Sequence, residues 1–248
     1  MTARIRDWPR DATHVDLRRP ELPVRAVEIA AAPQRLTVDL ERTAIIVVDM
    51  QNDFCAAGGW LDSIGVDVSP ARAAIAHLER ILPALRDADV PVIWLNWGNR
   101  LDRANLPPNV LHVYDADGSG GGIGQPAGRS EAVLTRGSWG AAIVDELSPG
   151  PSDVHVDKFR MSGFFDTPLD SVLKARGIDT VLFAGVNADQ CVAATLMDAA
   201  CLGYDVVMVE GASATTSPAY CYDATVYNVR QCFGFTVTPD SLLEALRR

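Results

Sequence analysis

Short apolar runs alternate with longer amphipathic stretches over most of the chain after residue 40. The runs "TAIIVVDM" (43–50) and "PVIWLNW" (91–97) flank "SPARAAIAHLERILPALRDADV" (69–90), in which apolar residues recur with helical spacing. Continuous Val, Ile and Leu runs of this kind are typical of strands that are buried on both faces. The pattern therefore predicts a strand, a helix and a second strand.

The same alternation returns in the C-terminal half of the chain. The runs "DVHVDK", "TVLFAGV", "VVMVEGA" and "GFTVTP" are predicted strands, and "TPLDSVLKARGID", "DQCVAATLMDAACLGYD", residues 218–231 and "DSLLEALRR" are predicted helices. Apolar strands separated by helices imply a parallel sheet that is covered on both faces. We therefore predict an α/β protein, a three-layer α/β/α sandwich around a central, mainly parallel sheet.

Two segments break the alternation. Residues 1–40 are rich in Pro, Arg and Asp, and we predict an N-terminal arm there, lying on the body or on a partner subunit, with one domain over 41–248. Between 99 and 140 the stretch "DADGSGGGIGQPAGRS" has the glycines of a phosphate-binding loop but turn residues on both sides. Because such a loop must follow a strand and open a helix, we predict instead a long loop over a site.

Composition and charge restrict the class of partner. Hydrophobic residues make up 48% of the chain and charged residues 22%, the balance of an ordinary globular protein. The net charge of −10, without clustered Lys or Arg, argues against nucleic acid. No apolar run approaches the ~20 residues that span a bilayer, and the first residues lack the apolar region of a signal peptide. We therefore expect no membrane partner and a cytoplasmic location.

The cysteines form an odd set without a CxxC pair, which predicts free thiols rather than disulfides or a zinc site. They are Cys55, Cys191, Cys201, Cys221 and Cys232.

Three polar residues stand at predicted strand ends, where ligands bind in parallel sheets. Asp49 closes "AIIVVD", Lys158 closes "VHVDK", and Cys191 follows "VLFAGVNADQ" in the first turn of the next helix. Singly, each has an ordinary role: the Asp can cap a turn, the Lys can be a solvated surface group, and the Cys can be inert packing. Together they fit one mechanism, in which a helix N-terminus and an ammonium lower the pKa of a nucleophilic thiol and a carboxylate accepts its proton.

A histidine base is the alternative to the carboxylate. His14 lies in the arm, His77 lies inside a helix, and His155 lies on the opposite face of its strand from Lys158. His112, in the long loop, is the one that stays possible.

Three separated motifs resemble the isochorismatase-like cysteine hydrolases. They are "TAIIVVDMQNDFCAAGG", "HVDKFRMSGFFDTPLDSVLKARGID" and "LFAGVNADQCVAATLMDAACLGYDVVMVEGASAT", and the resemblance covers roughly residues 40–245. Within the family, "RGSWGAAIVDEL" and "SGFFDTPLDSVLKARGI" look closest to the ureidoacrylate amidohydrolases. The resemblance implies a Rossmann-like, isochorismatase-like hydrolase fold.

The resemblance also implies site residues. Asp49, Lys158 and Cys191 match the family's catalytic triad, and the backbone N–H groups of Asn187 and Cys191 would form an oxyanion hole beside a cis peptide bond between Val186 and Asn187. Nicotinamidases carry an Asp–His–His metal set after the second strand, whereas "LNWGNRLDRANLPP" contains no histidine. We therefore expect no metal and no other cofactor.

The predicted substrate pocket departs from the ureidoacrylate enzymes that the chain resembles, which read Gln-Asn-Gly-Trp where this chain has "NWGN". Gln51 is predicted to brace the loop after Asp49, and Cys55 is predicted to pack. Trp97 has core filling as its alternative role. The residues predicted to line the pocket are Asn96, Trp97, Asn99, Phe54, Phe164 and Phe165.

The sequence thus predicts a cysteine-dependent amidohydrolase that cleaves the C–N bond of a small linear amide, ureide or carbamoyl compound of ureidoacrylate type through a thioester. One alternative is an amidase or lactam hydrolase acting on a larger secondary metabolite such as an antibiotic. Another is a non-catalytic binding protein on the same fold. The expected partners are a small-molecule substrate and further copies of the chain, as a homo-oligomer, either dimer or tetramer.

Overall fold

The computed structural model describes residues 8–18 and 23–247, in which a seven-stranded sheet carries helices on both faces. The strands are β1 Ala26–Ile29, β2 Ala31–Ala32, β3 Leu36–Asp39, β4 Thr43–Val48, β5 Val92–Trp97, β6 Val154–Lys158, β7 Thr180–Gly185, β8 Asp205–Ser213 and β9 Phe235–Val237. The helices are α1 Asn52–Cys55, α2 Trp60–Ser63, α3 Ser69–Asp87, α4 Pro108–Leu111, α5 Leu169–Arg176, α6 Ala193–Cys201, α7 Ala219–Asn228 and α8 Pro239–Leu246. A 3₁₀ turn spans Leu40–Arg42, and π-helical turns span Ala188–Val192 and Val229–Phe233.

The central sheet has the strand order β2-β9-β8-β7-β4-β5-β6. Every pair in it is parallel except β2 with β9, which is antiparallel. The chain leaves β4 toward β5 on one side, and β7 returns on the other side of β4. Right-handed crossovers then place the connecting helices on opposite faces of the sheet. The predicted three-layer α/β/α architecture with a mainly parallel sheet is confirmed.

The core explains the continuous apolar runs of the sequence. All residues of β4, β5 and β7 are buried, because helices cover the sheet above and below them. Helix α3 turns one apolar stripe inward, with Ile75, Leu78, Leu82 and Leu85 buried on it, and packs against α8. Each such side chain contributes about 1.5–3 kcal/mol when it leaves water.

The second half of the predicted N-terminal arm, residues 1–40, lies on the folded body. Strand β1 pairs with β3, and β2 adds an antiparallel edge strand to the central sheet, so the folded body begins before the predicted boundary at residue 41. Ile29 is buried, and the Arg25 guanidinium donates to the Ala88 carbonyl at 2.9 Å. A strand of two residues is too short to show an alternating pattern. Residues 1–7 and 19–22 of the predicted arm lie outside the described residues.

The connection between β5 and β6 is long and irregular, and it extends beyond the predicted 99–140 to residue 153. The buried carboxylate of Asp53 fixes it: Arg129 Nη1 donates to Asp53 at 2.6 Å, and the backbone N–H groups of Leu134 and Trp60 donate at 2.8 and 3.1 Å. A Cβ atom at Gly140 would overlap this carboxylate, so only glycine fits there. The segment is therefore tied to the residues that follow β4.

In the described part of the chain, none of the helices has the length and apolar character that crossing a membrane requires.

Candidate active site

Four adjacent strands bring polar groups to one edge of the sheet. In spatial order, β7 leads to Cys191, β4 to Asp49, β5 ends at Trp97, and β6 ends at Lys158. Asp49 has a φ of 52°, a conformation that residues other than glycine rarely adopt, and its N–H donates to the Leu95 carbonyl at 2.9 Å. Backbone strain of this kind is concentrated at functional sites.

The Lys158 ammonium is the centre of the site. Its Nζ lies 2.9 Å from Asp49 Oδ2, 3.3 Å from Cys191 Sγ and 3.2 Å from the Arg160 carbonyl oxygen. The fourth contact is the Trp97 indole ring, whose centroid lies 4.0 Å from Nζ. The contacts with Cys191 and the Arg160 carbonyl are hydrogen bonds, and the contact with Asp49 is an ion pair. The structure therefore brings Asp49, Lys158 and Cys191 together in one buried cluster.

Burial sets the protonation of this cluster. The pKa of Asp49 is raised because the carboxylate is desolvated, an effect that the nearby Lys158 ammonium opposes. Desolvation also raises the pKa of Cys191 to about 12; Lys158 acts to lower it, and Asp49 acts to raise it further. In the free protein, burial of the thiol therefore outweighs the lowering effect of the Lys158 ammonium on its pKa.

The loop before Cys191 is held by the segment after β8. The peptide bond between Val186 and Asn187 is cis, as the resemblance implies. Ala188 N–H donates to the Ala214 carbonyl at 2.8 Å, and the Asn187 side-chain oxygen accepts from Thr216 N–H at 3.1 Å. Among the described residues, the Asn187 N–H has no hydrogen-bond acceptor. This donor is available to a ligand.

Cys191 itself lies in the π-helical turn Ala188–Val192, a feature frequent at functional sites. Its carbonyl oxygen accepts from the Thr195 hydroxyl at 2.6 Å, and the same hydroxyl accepts from Gly163 N–H at 3.1 Å. Thr195 therefore couples the turn that carries Cys191 to the segment that follows Lys158.

Trp97 and Asn99, both predicted to line the pocket, are buried. Trp97 contacts Lys158 as described above, and Asn99 Nδ2 donates to the Val133 carbonyl at 3.1 Å. Trp97 Nε1 and Asn99 Oδ1 have no hydrogen-bond partner among the described residues. Buried polar atoms of this kind are uncommon and usually meet water or a ligand.

Asn96 was the third pocket residue predicted from this strand end, and that prediction is wrong. In the β5–β6 register Asn96 pairs with Asp157, while Trp97 pairs with Lys158. Because side chains alternate between the faces of a sheet, Asn96 points away from the cluster. It lines a different cavity together with His155 and Asp157.

The three phenylalanines predicted as pocket walls are placed differently. Phe54 packs edge-on against Trp60, and Phe164 packs near Tyr204. Phe165 is 59% exposed, so its side chain lies largely in solvent, and its role as a pocket wall stays a prediction. The roles of Phe54 and Phe164 toward a substrate stay predictions.

Gln51 and Cys55 support the site without entering the cluster. Gln51 Nε2 donates to the carbonyls of Trp97 and Ala141 at 2.8 and 2.7 Å, and its Oε1 accepts from Trp97 N–H at 2.9 Å. Gln51 therefore braces Trp97 and the loop after Asp49. Cys55 is fully buried, and burial raises the pKa of its thiol.

Met161 is a site residue that the sequence reasoning missed. Its sulfur lies 3.7 Å from Cys191 Sγ, and its half-buried side chain also lines an open cavity. The available signal was its position three residues after Lys158, inside a motif that already carried the resemblance.

The described residues contain no group of three or more His, Cys, Asp or Glu side chains that could hold a metal ion. In the same part of the chain, the hydrogen bonds and ion pairs found for the Asp49, Lys158 and Cys191 side chains do not include a histidine. His112 caps α4 in the long connection, and His155 lies beside Asn96.

Comparison with known proteins places the chain among hydrolases. The chain is 40% identical over 217 residues to ureidoacrylate amidohydrolase RutB of Agrobacterium fabrum, covering 85% of this chain and 92% of that protein. It is 38% identical over 214 residues to the RutB of Rhizobium rhizogenes, covering 86% and 87%. A cysteine hydrolase from Pseudomonas syringae pv. phaseolicola superposes with a TM-score of 0.72 at 27% identity, covering 85% of this chain and 94% of that one. The isochorismatase domain model matches residues 43–241, and the chain belongs to the isochorismatase family.

Proposed function

We propose that this protein is a cysteine-dependent amidohydrolase that cleaves the C–N bond of a small linear amide, ureide or carbamoyl compound through a thioester on Cys191. Its family and its amidohydrolase relatives make it a hydrolase of carbon–nitrogen bonds other than peptide bonds. The observation that carries the proposal is the position of Lys158 Nζ, 2.9 Å from the Asp49 carboxylate and 3.3 Å from the Cys191 sulfur in a fully buried site.

The first step is proton transfer and attack. Asp49 takes the thiol proton of Cys191, and the sulfur attacks the substrate carbonyl carbon. A raised pKa makes Asp49 a stronger base than a free aspartate, which suits a thiol that is protonated at rest. The Lys158 ammonium stays beside both groups and stabilises negative charge as it moves from the carboxylate to the sulfur.

The tetrahedral intermediate carries its negative charge on the former carbonyl oxygen. The backbone N–H groups of Asn187 and Cys191 are the proposed donors to this oxygen. The Asn187 N–H is without an acceptor among the described residues, and its side chain is held by Thr216. A donor fixed in advance costs no reorganisation during the reaction; removal of one such donor from an enzyme lowers kcat by about 10²–10³.

Collapse of the intermediate breaks the C–N bond. The proton held by Asp49 moves to the departing nitrogen, ammonia or an amine leaves, and the acyl group stays on Cys191 as a thioester. Asp49 then removes a proton from water, which attacks the thioester carbonyl. Expulsion of the sulfur, with return of the proton, regenerates the thiol and releases the acid.

Trp97 and Asn99 support a ureide as the scissile group. Trp97 Nε1 is a buried donor without a partner and Asn99 Oδ1 is a buried acceptor without one, among the described residues. A ureido group offers a carbonyl acceptor and N–H donors, so it can satisfy both. The relatives named as ureidoacrylate amidohydrolases favour the same group, and we rank ureidoacrylate-type ureides first.

The test is a screen of ureido acids, carbamoyl compounds and cyclic amides for release of ammonia or amine. Cys191→Ser is the blank, and Cys201→Ser, at an exposed cysteine, is the matched control. The proposal requires turnover of a linear ureide or amide by the unmodified protein and by Cys201→Ser but not by the blank. Turnover that persists in Cys191→Ser would refute it.

A further inference from the structure

An open cavity of about 500 Å³ lies on the outer side of Met161. Val113 and Tyr114 of the long β5–β6 connection form one wall, and the turn that carries Cys191 forms another. The lining consists of Val113, Tyr114, Met161, Asp189, Gln190, Ala194 and Met197. The mechanism derived above uses none of these side chains.

Met161 separates this cavity from the nucleophile. The same side chain lines the cavity and places its sulfur 3.7 Å from Cys191 Sγ, while Cys191 is 4% exposed. A substrate that reaches Cys191 from this side must displace Met161, and its remainder then extends into the cavity. An unbranched methionine side chain can make this adjustment because it has three rotatable bonds.

The lining has a definite chemistry. Most of it is apolar, and Asp189 is its one carboxylate among the residues that the structure describes; no Lys, Arg or His belongs to it there. Asp189 accepts a hydrogen bond from the Thr215 hydroxyl. The guanidinium of Arg160, two residues beyond Lys158, is already engaged by the carbonyls of Asn105 and Phe159 and by the Asp166 carboxylate.

We propose that this cavity is the subsite for an uncharged, mainly apolar remainder of the substrate, with Met161 as its movable floor; the proposal rests on the proposed function. A carboxylate in the cavity would face the Asp189 carboxylate without a cation in the described lining. A ureidoacrylate-type ureide would therefore bind this subsite best when its acid group is masked, for example as an ester.

A matched pair of substrates tests the charge preference. Ureidoacrylate and its uncharged methyl ester are compared by total ammonia release, so that ester cleavage is not counted. We expect kcat/KM to favour the ester by on the order of tenfold or more. Asp189→Asn should bring the ratio of kcat/KM for ester and acid closer to one. Asp205→Asn, at the start of β8 on the opposite edge of the sheet, should leave this ratio unchanged. If the unmodified protein instead hydrolyses the acid faster than the ester, and Cys191→Ser hydrolyses neither, the proposed subsite is wrong and the proposed function stands.

Binding to Cys191→Ser gives a readout that does not depend on turnover. Calorimetric titration with the same two compounds should show tighter binding of the ester. If neither compound is hydrolysed but this preference holds, the proposed function fails and the subsite stands. Equal binding, or tighter binding of the acid, would refute the subsite.

Alkylation tests the role of Met161. Met161→Ala should raise the rate at which iodoacetamide, an uncharged reagent, modifies Cys191, and Met161→Leu should restore a slow rate. Met197→Ala is the matched control, because Met197 lines the same cavity and, among the described residues, has no recorded contact with the thiol. An unchanged rate in Met161→Ala would contradict the assignment of Met161 as the floor.

Discussion

The ammonium of Lys158 lies over the indole ring of Trp97, with Nζ 4.0 Å from the ring centroid. In a site without solvent, such a cation–π contact is worth ~2 kcal/mol, equivalent to about 30-fold in rate or affinity. The ring therefore stabilises the charge that Asp49 and Cys191 both contact. The Gln51 side chain holds the Trp97 backbone in place: it donates to the Trp97 carbonyl and accepts from the Trp97 N–H.

Substitutions at Trp97 should separate the ring from its N–H group. Trp97→Phe keeps an aromatic face under Lys158 but removes Nε1, so we expect a raised KM for ureides and a kcat close to that of the unmodified protein. Trp97→Leu removes both and should also lower kcat, by about 30-fold. Steady-state kinetics on one ureide give both values, and equal kcat in the two variants would contradict a role for the aromatic face.

Loss of one partner of the buried Asp49–Lys158 pair should lower the free energy of unfolding strongly, whereas replacement of both partners should lower it much less. Lys158→Met or Asp49→Asn leaves one buried charge without its partner, which typically costs 3–5 kcal/mol in free energy of unfolding, about 10³-fold in the folding equilibrium. The double variant leaves no unpaired charge and should cost clearly less than the sum of the single losses. Urea unfolding of the four proteins measures this, and additive losses would show that the pair is not coupled.

As pH is lowered, kcat/KM should begin to fall at a higher pH than it would if the catalytic base were an ordinary aspartate. Asp49 acts as a base only when ionised, and burial raises its pKa above the usual 3.8. As pH falls through the raised pKa, Asp49 becomes protonated and kcat/KM declines. Cys191, with its pKa raised to about 12, stays protonated at neutral pH and produces no loss there. A pH profile on a non-ionising ureide checks this, and an acid limb at or below 3.8 would contradict it.

The Asp53–Arg129 pair should control the order of the long β5–β6 connection. Arg129→Met leaves the buried Asp53 carboxylate without its cation, so we expect a loss of about 3–5 kcal/mol in unfolding free energy and faster proteolysis within residues 99–140. Asp102→Asn is the control, because it breaks the exposed pair with Arg100 in the same connection and should cost less than about 1 kcal/mol. Equal behaviour of the two variants would argue against Asp53 as the anchor.

The sequence predicted that Asp49, Lys158 and Cys191 lie close together because these residues obey a simple rule. Asp49 and Lys158 each end an apolar run, and Cys191 follows one, so a parallel sheet had to bring them to the same edge. The same rule predicted the sheet itself. The rule does not say which face of the sheet a side chain occupies, however. Asn96 and Trp97 are adjacent in sequence, and only the register with β6 shows that Trp97, and not Asn96, faces Lys158.

Other features depend on contacts that no local pattern encodes. Asp53 and Arg129 are 76 positions apart, and nothing in either segment identifies the partner. The raised pKa of Cys191 follows from burial of the thiol, which outweighs the lowering effect of the Lys158 ammonium. The edge strand β2 has two residues, too few for a periodic signal.

The most direct test of the account is the intact mass of the protein during turnover. A ureide or amide should be mixed with the protein, quenched in acid within the first turnovers, and the adduct located by peptide mapping. The account predicts a mass increase equal to the acyl group, on the peptide that contains Cys191, present in Cys201→Ser and absent in Cys191→Ser. Turnover without any acyl adduct on Cys191, or with an adduct on another residue, would contradict covalent catalysis by this thiol.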